Sequence, residues 1–364
     1  MGGLNMNAYK NLDLPVLTQW DMDLLEELSN ACGVSGNERE IRKIVRREIE
    51  PIADSFEVDA LGNAIAVRKA KTAEFTRVLI AAHMDEIGFM LVNEEDPGIF
   101  RFRAVGGIDP RQMAGKAVWV GPDHVPGVIG ACPIHLTTPE QRKKTIKESD
   151  LRIDIGSENK AVTTGMYAYY ATKFCEMGNS VCGKALDDRF GVCILMRLFK
   201  ECPENIELIA AFTVQEEVGT RGAQVVAWDR KPDLAIIIDS TPAMDLPRWD
   251  GEESPIYKSK LGEGPAVYTH DGRTLSDPRL INNLIQTANE YGIPVQRRQP
   301  MLGGTDAGPI HITQEGIPSV SMSVPGRYAH SAATIARKSD WEAHLQLTYA
   351  ALANLDKSLI TNPR

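Results

Sequence analysis

Two adjacent carboxylates, Glu216 and Glu217, follow the apolar run 206–214. Acidic side chains at the end of a buried strand are costly unless something cationic receives them. A strand end emerging into water, where paired glutamates are ordinary, is the competing reading. In an extended chain, neighbouring side chains point to opposite faces. One glutamate is then free to hold a cation while the other faces a substrate.

Other strand ends give those carboxylates company. The apolar run 78–82 ends in His83, and 234–238 ends in Asp239. His330 lies six residues past the run 320–324, and Asp187 opens a helical pattern between two of the strands. In open α/β sheets, ligands gather outside the carboxyl ends of the strands. Imidazole mixed with carboxylate suits Zn, Co or Mn better than Mg, and the lack of a thiol disfavours a structural zinc site. Two single-metal sites sharing one carboxylate would use the whole set, with ions roughly 3.5–4 Å apart. A further carboxylate is then needed as general base. Adjacent Glu216 and Glu217 can divide these jobs.

Each residue has a plainer alternative. His83 reads equally as a core histidine, although Asp85, two residues on, is placed to orient its ring. Asp187 reads as a helix N-cap; Asp188 is the other choice for the cap, or pairs with Arg189. Asp239, before Ser240-Thr241-Pro242, reads as a turn former. The remaining histidines, His124, His135, His270, His311 and His344, are assigned ordinary structural roles.

The elements that must position these residues alternate between helix and strand. Helical spacing predicts helices over 21–31 and from about 37 to 49, the second capped by Ser35 or Asn37. Runs 56–59 and 64–67 flank Leu61-Gly62-Asn63 as a hairpin. From Ile87 to about Tyr167 the texture changes to short β-like runs broken by glycine and proline, with no convincing amphipathic helix. An all-β unit inserted between two α/β stretches is the economical reading. Helices are expected again over 187–198, 277–291 and 340–355, with a glycine-rich turn at 303–306.

Composition sets the class. The chain has 364 residues, 43% of them hydrophobic and 24% charged, so it is globular. A net charge of -9 argues against a nucleic-acid partner. Six cysteines without a C-x-x-C pair read as buried free thiols of a reducing compartment. No secretory signal is visible, Met6 stands where a myristoylation signal wants Ser or Thr, and the apolar runs are too short to span a bilayer. A cytoplasmic protein without a membrane partner is expected.

Five motifs in order then resemble one family. Ala82-His83-Met84-Asp85-Glu86-Ile87-Gly88, Lys184-Ala185-Leu186-Asp187-Asp188-Arg189, Gln215-Glu216-Glu217-Val218-Gly219, Gly304-Thr305-Asp306-Ala307 and Arg327-Tyr328-Ala329-His330-Ser331 resemble the signatures of the tetrahedral (TET-type) metallo-aminopeptidases, which include glutamyl and deblocking aminopeptidases. The resemblance implies an α/β fold: a mixed-sheet α/β/α metallopeptidase domain over 1–86 and 169–364, with a small PDZ-like all-β dimerisation domain inserted at 87–168. It implies two divalent ions, Zn or Co with Mn as a further choice. His83 and Asp239 would hold one, Glu217 and His330 the other, with Asp187 bridging. Glu216 would be the general base and Asp85 the partner of His83. Gly304, Thr305, Asp306 and Arg327 would contact substrate. The reaction would remove N-terminal residues from peptides by metal-activated water, in dimers that assemble into a hollow homododecamer. Gly165-Met166 departs from the family's Gly-Asp at the end of the inserted unit, and the segment from Trp249 to Lys260 has no counterpart in the resemblance and would shape specificity. An N-acyl amino acid or other amide hydrolase on the same scaffold is the main alternative. A glycosidase needs two carboxylates about a sugar bond but not the histidines. A non-catalytic assembly protein would not need Glu216.

Overall fold

A computed structural model describes residues 12–247, 259–298 and 303–361. The four longest apolar runs form the centre of one large mixed sheet. Strands Ile206–Thr213, Thr76–His83, Leu234–Pro242 and Ser319–Arg327 lie side by side in that order, all parallel. Strands buried on both faces need no polar alternation, which is why these runs read as continuously apolar. In Thr76–His83, Val78, Ile80 and Ala82 enter one core while Leu79 and Ala81 enter another. The first core is covered by Gln19–Asn30, Arg39–Ile49, Leu186–Lys200, Pro278–Tyr291 and Lys338–Ala353. The second is covered by short helices Ala223–Val226 and Ala307–His311. The result is three layers with the helices on both faces of the sheet.

Flanking strands are antiparallel. Ser55–Val58 and Ala64–Arg68 form the expected hairpin, and the second of these pairs with Ile206–Thr213. The Asp59 carboxylate accepts from the backbone N–H groups of Leu61, Gly62 and Asn63, which fixes the turn. Residues 88–170 supply six further strands, Gly88–Asp96, Ile99–Val105, Ala117–Val120, Val125–Gly130, Arg152–Asp154 and Tyr167–Tyr170, which close a barrel around Phe89, Phe100, Phe102, Ile129 and Ile153. A single turn of helix, Pro139–Arg142, lies in this stretch.

Two local expectations are corrected. The second helix begins at Arg39 after Glu38, with no side-chain cap, because the Ser35 hydroxyl is committed to Asp85 at 2.6 Å. Asp187 and Asp188 are not helical; the regular helix starts after them, and Asp188 caps it by accepting from Gly191 N–H at 3.0 Å. Arg189 does not pair with Asp188. Its guanidinium reaches the Glu86 carboxylate at 3.0 Å, where the Lys184 ammonium also binds at 2.8 Å. All three side chains are buried. Gly33 N–H donates to the same carboxylate, Arg189 donates to the carbonyls of Leu28, Met84 and Asp85, and Lys184 donates to that of Ala31. This network ties the first helix, the turn after His83 and the Asp187 segment into one unit.

Removing one partner of a buried charge network leaves the others uncompensated. Glu86→Gln should lower the unfolding free energy by about 3–5 kcal/mol in urea titrations. Glu204→Gln, which breaks the exposed Lys71–Glu204 pair, should cost less than about 1 kcal/mol.

Candidate metal centre and cleft

Parallel strands in register bring their C-terminal ends to one rim. Thr213 pairs with His83, so the 215–217 turn starts beside the histidine. Ile237 pairs with Ala81, which sets Asp239 level with His83, each two residues further on. His330 arrives from the loop after Ser319–Arg327, and Asp187 from the segment before its helix.

The side chains meet as two triplets. His83, Asp187 and Asp239 form one, and Asp187, Glu217 and His330 the other; within each, one ligand atom per residue lies within 4.8 Å of the rest. His83 Nε2 is 3.2 Å from Asp187 Oδ1 and 3.8 Å from Asp239 Oδ1. His330 Nε2 is 3.6 Å from Asp187 Oδ2 and 3.5 Å from Glu217 Oε2. Asp187 therefore turns one oxygen to each triplet. Ligands about 2.0–2.1 Å from a tetrahedral ion stand roughly 3.3 Å apart, close to these spacings.

Both imidazoles are oriented from behind. His83 Nδ1 donates to the Asp85 carbonyl at 3.1 Å, with the Asp85 carboxylate at 3.5 Å. His330 Nδ1 donates to the Gly107 carbonyl at 2.9 Å. A carbonyl only accepts, so each Nδ1 carries a proton and each Nε2 faces carboxylate oxygens. That arrangement requires a proton or a cation between them. Gly107 comes from the barrel, next to Gly106 at φ 85°, where a β-carbon would stand 2.7 Å from Ile87 and 3.3 Å from Glu217.

Asp85 does more than face His83. Its buried carboxylate accepts from Glu216 N–H at 2.9 Å and Glu217 N–H at 3.1 Å, besides Ser35. The strand ends at Thr213 and Gln215 has φ 56°. The two glutamates therefore divide at a turn held by Asp85, and the extended alternation expected from sequence is absent. Glu217 joins a triplet, while Glu216 lines a cleft of 460 Å³ with Glu217, Gly304, Arg273 and His330.

The electrostatics fit a cation site. Burial, reinforced by neighbouring carboxylates, holds Glu216 and Asp239 well above the usual carboxylate range and pushes Glu217 up to about 7. The hydrogen bond to Asp187 raises His330 to about 10. His83 is raised as well: burial opposes its charge, but hydrogen bonds to Asp187 and Asp85 outweigh burial. Asp187 is lowered, its burial overcome by hydrogen bonds from His330 and His83.

Of the residues expected to contact substrate, Gly304 lines the cleft. Thr305 and Asp306 are buried, the first bonded to the Ser321 hydroxyl at 2.8 Å and the second to the Thr213 hydroxyl. Arg327 makes a two-pronged pair with Asp245 at 2.7 Å. Residues 249–258 lie outside the described residues. Sequence reasoning missed Arg273, whose stem lies across Gly304 and Gly308 and whose guanidinium donates to the Thr220 hydroxyl at 3.0 Å. It also missed the Gly107 carbonyl. Arg273 stands in a loop without periodicity, and the Gly106-Gly107 pair was the one sequence signal for the Gly107 carbonyl.

The sequence pattern of the M42 glutamyl aminopeptidases matches residues 62–347. The chain belongs to the M42 glutamyl aminopeptidase family. A putative aminopeptidase of Acetivibrio thermocellus is 38% identical over 91% of this chain and 98% of that protein. The glutamyl aminopeptidase of Lactococcus lactis is 31% identical over 88% and 92%. The Pyrococcus horikoshii TET1 peptidase, described as assembling into a tetrahedron or a large octahedral shell, superposes with a TM-score of 0.80 at 35% identity over 92% of this chain and all of that one. This M42 protein is accordingly a peptidase. Among its described residues no helix is long and apolar enough to cross a membrane.

Metal ions compete with the protons that these groups hold. With Glu217 at about 7 and His330 at about 10, raising the pH removes the competing protons. Zn or Co affinity should therefore rise from pH 7 towards pH 10 and fall as pH drops. Calorimetric titration in buffers of different ionisation enthalpy should show protons released on metal uptake at neutral pH.

Proposed function

We propose that this M42 protein is a dinuclear metal-dependent aminopeptidase with Glu216 as general base. The observation that carries the reading is the Asp187 carboxylate turning one oxygen to each of two histidine–carboxylate triplets. His83, Asp239 and Asp187 would hold one divalent ion, and Glu217, His330 and Asp187 the other, with Zn or Co preferred over Mn. Such ions supply a water of lowered pKa and polarise the scissile carbonyl.

The chain's own residues supply the rest. The Asp85 and Gly107 carbonyls hold the imidazole rings. Asp85 fixes the backbone of both glutamates. Glu216 sits in the cleft outside the triplets, and its carboxylate receives the proton of the attacking water and passes it to the leaving amine. Arg273 is the one guanidinium lining the cleft among the described residues, and no described carboxylate pairs with it. A guanidinium is suited to two-pronged binding of a carboxylate, which supports preference for an acidic first residue. The same reading makes the barrel the PDZ-like pairing domain of a homododecamer; the exposed Ile134 and Leu136 side chains on it support a contact surface. Six free thiols support a reducing, cytoplasmic setting.

Glu216→Gln should keep two ions per chain and lower kcat by at least about a hundredfold; unchanged turnover would remove Glu216 from the base role. Arg273→Ala should lower kcat/KM for glutamyl and aspartyl chromogenic substrates roughly tenfold or more, from loss of a charge-assisted contact of about 1.5–3 kcal/mol, and leave leucyl substrates nearly unchanged. Release from no aminoacyl substrate, with turnover of an N-acyl amino acid, would favour the amide-hydrolase alternative.

A further inference from the structure

One pair of cysteines lies outside the site and outside the mechanism. Cys175 and Cys182 stand directly opposite each other in the hairpin Cys175–Met177/Ser180–Gly183, closed by the two-residue turn Gly178-Asn179. Cys175–Met177 is the last strand in the sheet order among the described residues. Cys175 is exposed and Cys182 half-buried. Opposed residues in an antiparallel pair have α-carbons about 4.5 or 5.5 Å apart, and disulfides span about 4.4–6.8 Å. The hairpin thus has the backbone spacing a disulfide requires, while both thiols are free.

We propose that Cys175 and Cys182 are a reversible thiol–disulfide site, oxidised by exchange with a small-molecule disulfide such as oxidised glutathione. The exposed Cys175 thiolate attacks the small disulfide, forms a mixed disulfide and expels one small thiolate. The Cys182 thiolate then attacks Cys175 Sγ, forms the Cys175–Cys182 bond and expels the second. The two protons lost by the protein end on the two small thiols, so one disulfide is reduced as one is formed. Burial and the adjacent Cys175 hold the Cys182 thiol above its usual range, which makes Cys175 the entering nucleophile and Cys182 the resolving one. The other cysteines differ: Cys32, Cys193 and Cys202 are buried as expected from sequence, whereas Cys132, like Cys175, is exposed against that expectation and has no opposed thiol among the described residues.

The bond would fasten an edge strand to the strand that leads into Lys184 and Asp187. Ser180–Gly183 pairs with Thr334–Arg337, and Glu176 and the Asn179 carbonyl hold Lys338. Oxidation therefore acts on the frame of the rim and leaves the described ligands untouched.

The test is cysteine mapping of the intact, folded chain equilibrated in oxidised and reduced glutathione, then alkylated and digested. The expected result is one Cys175–Cys182 disulfide per chain that reduced glutathione reverses, with Cys132 carrying only bound glutathione. Cys182→Ser should trap glutathione on Cys175. Alkylatable Cys182 alongside glutathione accumulating on wild-type Cys175 to the level seen on Cys132 would overturn the proposal, whether or not the variant folds.

Discussion

The rim depends on one buried carboxylate. Asp85 accepts from the backbone of Glu216 and Glu217 and from Ser35, and stands behind His83. A fully buried carboxylate is expensive unless hydrogen bonds receive its charge. Here those bonds are what join the ends of two neighbouring strands. They lower Asp85 below its ordinary range against the effect of burial, with His83 the largest contributor. Losing that charge would release the turn carrying both glutamates as well as the ring of His83.

The charges around Asp85 are divided into two kinds. Glu86 is matched internally, by Lys184 and Arg189. That pairing is structural, and it keeps the loop between His83 and the barrel in place. Glu217, Asp187 and Asp239 are ion-paired, among the described residues, with imidazoles alone. With each Nδ1 turned to a carbonyl, the opposed Nε2 atoms and carboxylates need protons or cations between them. Structure and function thus separate by where the compensating charge comes from.

Much of this was legible in sequence. Continuous apolar runs such as 78–82 and 234–238 mark strands buried on both faces, and polar residues at their ends mark the rim. Register does the rest, because Asp239 and His83 fall level once the strands are parallel. What stayed hidden depends on contacts between distant segments. The reach of Arg189 to Glu86 across 103 residues and the Gly107 carbonyl behind His330 have no local pattern. The hairpin 175–183 was missed because its strands are short and its exposed residues polar or thiol. Alternation predicted that Glu216 and Glu217 would diverge, but the divergence is made by a turn at Gln215, outside any strand.

The central claim is that Asp187 serves two ions at once. Metal analysis of wild-type and Asp187→Ala protein, loaded with Zn or Co and dialysed under identical conditions, tests it most directly. Two ions per chain in the wild type and loss of both in the variant is the predicted result. Full retention of two tightly bound ions by a folded Asp187→Ala protein would contradict it.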